Sequence, residues 1–172
     1  PSVAEPSLVG FVAGAFASTR VDQAGPISQA AAMLDPTPLP PPPPPALREI
    51  ILTGGDPPTL SPRRLEDVLS RLSAIPHITS LRFHSRVPVV APERITPALA
   101  DLLRRQRPAV WVVVHTNHAQ ELTAPARAAL ARLVDAGVPL LSQSVLLKGV
   151  NDSHDALRDL FRALQDCRVK PY

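Results

Sequence analysis

Four short polar clusters carry the groups that could do chemistry in this chain. They are Thr53-Gly54-Gly55-Asp56, His84-Ser85-Arg86, His115-Thr116-Asn117-His118 and Gln143-Ser144. The glycine pair lets backbone N–H and C=O groups approach a ligand closely, and the imidazole, guanidinium and amide groups offer hydrogen bonds, charge or metal ligands. Because each cluster follows an apolar run, we expect a ligand site built from four strand ends.

Taken alone, the first and third clusters leave alternatives open. Gly54 and Gly55 lack the GK[ST] of a P-loop and the spacing of a dinucleotide fingerprint, so a tight turn between a strand and a helix is an equal interpretation. His115 and His118 are spaced to bind a metal, but no third ligand is evident. Ordinary hydrogen bonding at a strand end is the favoured interpretation of the two histidines.

The second and fourth clusters are also open to two interpretations. His84 and Arg86 could hold a carboxylate, since a guanidinium matches that group bidentately. A surface ion pair between Arg86 and Glu93 is an equal alternative. Gln143 ends an aliphatic strand, where a buried amide needs hydrogen-bond partners and a ligand is one candidate.

Other reactive residue types point to structural roles. No G-x-S-x-G elbow frames a serine, so a hydrolase triad is disfavoured. The sequon Asn151-Asp152-Ser153 is interpreted as an Asx turn and helix cap. Cys167 ends a predicted helix, where the dipole disfavours a thiolate, and we interpret it as structural.

The elements that must position these clusters alternate regularly. Short apolar strands are predicted at 49–53, 79–84, 110–115, 138–144 and 168–172. Between them lie amphipathic helices that begin near Ser61, Thr96 and Thr123 and over 153–166, and 86–92 is predicted as a loop. This β-α alternation indicates an α/β fold with a parallel sheet covered by helices. An open doubly wound sheet and part of a barrel both fit it, and both place ligands at the carboxyl ends of the strands.

Composition divides the chain and narrows its class. Of the 172 residues 22 are proline, six of them unbroken at 40–45, so we predict a largely irregular, low-complexity segment at 1–46 and one domain at 47–172. For the proline run, a passive spacer is favoured over a docking motif.

The low aromatic content of 3% and the net charge of only +3, with acidic residues interspersed among the basic ones, disfavour nucleic-acid binding. No apolar run approaches a membrane span, and residues 8–17 lack the basic flank of a signal peptide. The single cysteine suggests a reducing, cytoplasmic location.

The ordered series of segments resembles one family. ILTGGDPPTLSPRRLEDVLSRLSAIPHITSLRFHSRVPVVAPERIT, VHTNHAQELT, AGVPLLSQSVLLKGVND and RVKPY are similar to stretches of the lysine 2,3-aminomutases. These are radical S-adenosylmethionine enzymes, and they include the relative that makes β-lysine for elongation factor P. The resemblance covers about residues 47–172.

The resemblance implies a fold and a reaction. The fold is a partial (β/α)6 radical S-adenosylmethionine barrel containing strands two to six. In the family, a [4Fe-4S] cluster and S-adenosylmethionine generate a 5′-deoxyadenosyl radical, and pyridoxal phosphate lets an amino group migrate from C2 to C3 of lysine. A small lysine-like amino acid is therefore the implied substrate, with neither nucleic acid nor membrane as partner.

The resemblance also implies which residues face S-adenosylmethionine. The glycine-glycine-acidic turn contacts the methionine amino group largely through its backbone, and strand-end segments supply the rest. Here Ser142 replaces the family's usual asparagine. By this resemblance, the residues expected to bind S-adenosylmethionine are Thr53, Gly54, Gly55, Asp56, Ser85, Arg86, His115, Asn117, His118, Gln143 and Ser144.

Two features of the family are missing from the 172 residues. The cluster motif C-x3-C-x2-C is absent, because Cys167 is the only cysteine and a cluster needs at least three thiolates. The glycine-rich segment that contains the pyridoxal phosphate lysine is absent as well. We therefore expect this polypeptide alone to be inactive, and a non-catalytic nucleoside-binding relative or a scaffold is the alternative. An open half-barrel also predicts self-association.

Overall fold

The computed structural model describes residues 47–172. The predictions for the proline-rich segment, residues 1–46, lie outside the described residues. Within the described part, no helix has the length and apolar character needed to cross a bilayer.

Five parallel strands form a single sheet in residues 47–172. The strands are β1 (Glu49–Leu52), β2 (Ser80–Ser85), β3 (Ala109–His115), β4 (Leu140–Gln143) and β5 (Lys170–Pro171). The α-helices are α1 (Pro62–Ser73), α2 (Val87–Val90), α3 (Pro97–Arg104), α4 (Ala124–Asp135) and α5 (His154–Asp166). Short 3-10 helices lie at Pro57–Thr59, Pro92–Arg94 and Ala119–Glu121. The predicted alternation of strands and helices is confirmed.

The order of the strands is consistent with part of a barrel, one of the two arrangements that the sequence left open. The sheet runs β1-β2-β3-β4-β5, with every neighbouring pair parallel. A doubly wound sheet reverses direction at a switch point, whereas this sheet proceeds in one direction, as a barrel does. Across the open side of the sheet, Arg82 Nη1 of β2 lies 3.2 Å from the hydroxyl oxygen of Tyr172, just after β5.

Four helices begin where the sequence predicts. Ser61, Thr96, Thr123 and Ser153 each accept a hydrogen bond from the backbone N–H three residues later, so each side chain satisfies a donor that the first helical turn leaves unpaired. The first three caps are followed by a proline in the first turn, where its missing N–H costs nothing.

Several boundaries differ from the prediction by one or two residues, β4 among them, and two differences have a clear structural cause. The predicted loop at 86–92 contains α2, because Pro88 is compatible with a first helical turn and the apolar Val87 and Val89 are buried against the core. The last strand is shorter than the predicted 168–172. Arg168 has a φ of 58°, the left-handed conformation that ends a helix, so the chain turns before it can pair with β4.

The two faces of the sheet have different characters. Alternate strand residues such as Leu81, Phe83 and Val112 are buried beneath the helices in one aliphatic core. Burying each such side chain contributes about 1.5–3 kcal/mol, so this face holds the sheet and helices together. The opposite face, which we call the open face, is lined by Glu49, Arg82, His84, Trp111, His115, Leu141, Gln143 and Lys170.

Candidate functional site

The loops that follow β1, β2, β3 and β4 meet at the carboxyl edge of the sheet. We call this set of loops, residues 53–56, 86, 116–121 and 144–151, the rim. All four polar clusters found in the sequence lie on it or at the strand ends directly beneath it. The convergence follows from the parallel order, because every strand presents its carboxyl end to the same edge.

Asp56 joins the first rim loop to the second. Its Oδ1 accepts a hydrogen bond of 2.6 Å from Ser85 Oγ, and its Oδ2 accepts one of 2.8 Å from the backbone N–H of Arg86. Asp56 itself has a left-handed φ of 47°, which aspartate tolerates better than most residues. The carboxylate therefore fixes the turn and leaves Gly54 and Gly55 exposed beside it.

Glu121 joins the second loop to the third. Its Oε2 accepts a 2.6 Å hydrogen bond from Arg86 Nη2, and its Oε1 accepts the backbone N–H groups of Asn117 at 2.6 Å and His118 at 3.0 Å. The proposed ion pair between Arg86 and Glu93 is wrong. Glu121 is the partner because the 3-10 helix after His118 turns its carboxylate back onto the loop, in a capping box with the His118 ring.

Asn117 and Asn151 join the third loop to the fourth. Asn117 Oδ1 accepts the backbone N–H of Val145 at 2.9 Å, and Asn151 Nδ2 donates to the Asn117 carbonyl at 2.8 Å. The rim is thus one connected set of hydrogen bonds from Asp56 to Asn151. Sequence reasoning missed the role of Asn151: the predicted cap of α5 is Ser153, whereas the Asn151 amide is fully buried between the loops.

The remaining cluster residues have mixed positions. Ser85 is buried, and its hydroxyl group is used by Asp56 and by the backbone of Val87. Gln143, which was predicted to be buried, is exposed, because the end of β4 has no covering element among residues 47–172. Ser144 donates a 2.6 Å hydrogen bond to the carbonyl of the buried Thr116. Gln143 is therefore the side chain of the fourth cluster that is accessible to a ligand.

His84 and His115 form a pair on the open face just below the rim. His84 Nδ1 lies 3.1 Å from His115 Nε2, and the rings meet edge to face, with centroids 5.3 Å apart. Burial lowers the pKa of both rings, and the neighbouring imidazole and Arg82 lower the pKa of His84 further. Both pKa shifts favour the uncharged form of the rings, and in that form one ring nitrogen can donate to the other.

The histidine spacing does not produce a metal site. His118 Nδ1 accepts the backbone N–H of Gln120, while His115 contacts His84 instead. No group of three or more His, Cys, Asp and Glu side chains in residues 47–172 is arranged to hold a metal ion. Within the described residues, the contacts of His115 and His118 are hydrogen bonds to a neighbouring ring and to the backbone.

Charged groups line the open face farther from the rim. Arg82 Nη2 lies 2.9 Å from both carboxylate oxygens of Glu49, and the guanidinium stands 5.9 Å from the Tyr172 ring centroid. The Nε atom of Arg82 and the Nε2 atom of His84 are both buried without a hydrogen-bond partner. The open face therefore offers unsatisfied polar atoms next to the histidine pair.

The residues present do not fit an iron–sulfur cluster. Cys167, the only cysteine of the sequence, is buried at the end of α5, where burial raises the pKa of its thiol. Three thiolates are required to hold a cluster. Burial and the raised pKa both disfavour the thiolate, as the interpretation of Cys167 as structural expects.

Comparison with known proteins gives relatives over the described part of the chain. No family model matches the sequence. Over 126 residues, or 73% of the chain, it is 45% identical to L-lysine 2,3-aminomutase of Fusobacterium nucleatum and 47% identical to L-lysine 2,3-aminomutase of Escherichia coli. Over the same length it is 40% identical to glutamate 2,3-aminomutase of Clostridioides difficile. The chain spans 29%, 37% and 30% of these relatives, respectively.

Proposed function

The chain belongs to the lysine 2,3-aminomutase family, and on that premise we propose that its rim is a binding site for S-adenosylmethionine. The observation that carries the proposal is the convergence of four strand-end clusters on one hydrogen-bonded rim. Such a rim is preorganised, because the hydrogen bonds that position one loop also position the next.

The exposed groups of the rim match the methionine part of the ligand. Gly54 and Gly55 are exposed on a turn that the Asp56 carboxylate holds, so their backbone is accessible to an ammonium group beside the hydrogen bond that the Gly55 carbonyl accepts from Thr59 Oγ1. Arg86 is half exposed, and one of its terminal nitrogens donates to Glu121. Its other N–H groups can therefore donate to the carboxylate of the methionine part. Gln143 and the neutral His115 supply further hydrogen bonds at the strand ends.

The open face is the proposed position of an amino acid substrate of the lysine type. It lies directly beneath the rim and carries the Arg82–Glu49 pair, the histidine pair and Lys170. In the assembled enzyme, the proposed reaction is migration of the amino group from C2 to C3. The thiolates for a cluster and the lysine that anchors pyridoxal phosphate must come from outside these residues, so we assign no chemical step to this chain alone.

The second candidate function is binding of a nucleoside ligand without catalysis. The single, buried Cys167 favours it, because the rim is complete while the cluster ligands are absent from the 172 residues. Adding a separately expressed polypeptide that contains the family's cysteine motif distinguishes the two functions. Restored amino migration identifies a segment of an enzyme, and binding without turnover identifies the second function.

Calorimetric titration with S-adenosylmethionine tests the binding site itself. We expect saturable heat from the unaltered chain. Asp56→Ala removes the carboxylate that holds the first two loops, so we expect at least a tenfold weaker Kd, equivalent to about 1.4 kcal/mol. Asp67→Ala is the matched control, because Asp67 is exposed on α1 and far from the rim loops in the chain. No heat at millimolar ligand would refute the proposal.

A further inference from the structure

A fully buried amide lies beneath the most exposed apolar loop of the described chain. Val145 and Leu146 are 55% and 70% exposed, and Leu147 and Val150 are also exposed. Asn151, at the end of the same loop, is 0% exposed. Apolar burial therefore does little to anchor the loop, and its conformation must depend on polar contacts.

The Asn151 carboxamide supplies these polar contacts through the three hydrogen bonds that it makes. Nδ2 donates to the carbonyl of Asn117 at 2.8 Å and to the carbonyl of Val145 at 2.9 Å, while Oδ1 accepts the backbone N–H of Leu147 at 2.7 Å. Two of these partners belong to the loop after β4, and one belongs to the loop after β3. An aspartate has the same shape but lacks both donors, so the pattern requires an amide.

The contacts of Asn117 complete the connection from the other side. Its Oδ1 accepts the backbone N–H of Val145, and its own N–H is held by Glu121. The two asparagines therefore fix the backbone between Val145 and Leu147 against the third rim loop. Removing the Asn151 amide would take this partner from the carbonyls of Asn117 and Val145 and from the Leu147 N–H, and so would release the contacts that hold the two loops together.

We propose that Asn151 is a positioning residue for the ligand site: its carboxamide sets the loop after β4 against the loop after β3 and so fixes the positions of Asn117 and Val145 on the rim. Asn151 does not contact the ligand in this assignment. The predicted effect of Asn151 on ligand binding rests on the proposed function, whereas its predicted effect on the loop does not depend on any ligand.

The test compares Asn151→Asp with two controls in the full chain. Asp152→Ala alters the exposed neighbouring residue, and Ala163→Gly weakens α5, whose Ala163 faces the core. Amide hydrogen exchange is measured at Val145 and Leu147 and at β2 and β3, together with the melting temperature and the Kd for S-adenosylmethionine. A melting temperature that falls without a change in Kd, as we expect for Ala163→Gly, defines a purely structural effect.

For Asn151→Asp we expect at least tenfold faster exchange at Val145 and Leu147, unchanged protection of β2 and β3, and at least a tenfold weaker Kd. Unchanged loop exchange would overturn the proposal, and so would a Kd that changes no more than in Ala163→Gly. If Asn151→Asp does not fold, Asn151→Ser, which keeps one donor of smaller reach, is measured in the same way with the same criteria. If the unaltered chain does not bind S-adenosylmethionine, the proposed function fails, and loop exchange alone decides whether Asn151 positions the loop.

Discussion

Glu121 joins the second rim loop to the third, and its substitution gives the most informative stability prediction. It receives three hydrogen bonds: one from Arg86 at 2.6 Å, and two from the backbone N–H groups of Asn117 and His118 at 2.6 and 3.0 Å. The Arg86 contact is partly solvated, with the two side chains 46% and 25% exposed, so it contributes about 0.2–1 kcal/mol. Each hydrogen bond from a backbone N–H to the carboxylate contributes about 1 kcal/mol, because the carboxylate is partly exposed to solvent.

Two substitutions separate these contributions. Glu121→Gln keeps one carbonyl oxygen for the backbone donors but places an uncharged amide opposite Arg86, so we expect a loss of about 1 kcal/mol in the free energy of unfolding. Glu121→Ala removes all three bonds, and we expect a loss of about 2–3 kcal/mol. Glu93→Gln is the matched control, because Glu93 makes no ion pair among the described residues. We expect a change within about 0.5 kcal/mol for it.

Urea unfolding measures these differences, with fluorescence of the single tryptophan, Trp111 of β3, as the signal. The predicted order of stability is Glu93→Gln, then Glu121→Gln, then Glu121→Ala. Equal stabilities for Glu121→Gln and Glu121→Ala would show that the backbone bonds contribute nothing. A loss in Glu93→Gln as large as that in Glu121→Gln would show that the assignment of the Arg86 partner is wrong.

Further predictions follow from the histidine pair, the thiol, the cysteine count and the exposed apolar loop. The pKa values of His84 and His115 are lowered in the folded state, so the unfolded state takes up protons first as the pH falls. The free energy of unfolding should therefore fall as the pH drops below about 6.5. In urea titrations, His84→Gln should reduce this dependence of the free energy of unfolding on pH. The raised pKa of the buried Cys167 should slow its alkylation by iodoacetamide at pH 8 relative to free cysteine, and an equal rate would contradict this environment. Anaerobic reconstitution with iron and sulfide should leave the chain colourless, whereas a brown, iron-loaded protein would show that one cysteine suffices. Light scattering should detect self-association through the exposed apolar loop, and a monodisperse monomer would contradict it.

The sequence predicted the elements of the fold better than their arrangement. Apolar periodicity and the capping residues Ser61, Thr96, Thr123 and Ser153 are local signals, so the helix starts could be read directly. The order of the strands depends on contacts between segments that are distant in the sequence, and apolar periodicity contains no information about such contacts. The short α2 was missed because a run with two prolines resembles a loop, while burial of its valines decides its conformation.

The site was predicted in part for a similar reason. The four clusters could be found because parallel strands bring their carboxyl ends to one edge. Glu121 and Asn151 were missed because their partners are mostly backbone groups brought close by the fold: the Asn151 amide contacts a carbonyl 34 residues away. A local signal for Glu121 did exist, since a residue three positions after the cap His118 is where a capping-box glutamate lies. For Asn151, no comparable pattern in the sequence separates a buried amide from a turn residue.

The central claim is that the rim binds S-adenosylmethionine, and amide chemical-shift mapping during a titration of the full chain tests it most directly. We expect saturable shifts that concentrate at Gly54, Gly55, Asn117 and Gln143, which come from two rim loops and the end of β4. Shifts confined to the amino edge of the sheet, or no shifts at millimolar ligand, would contradict it.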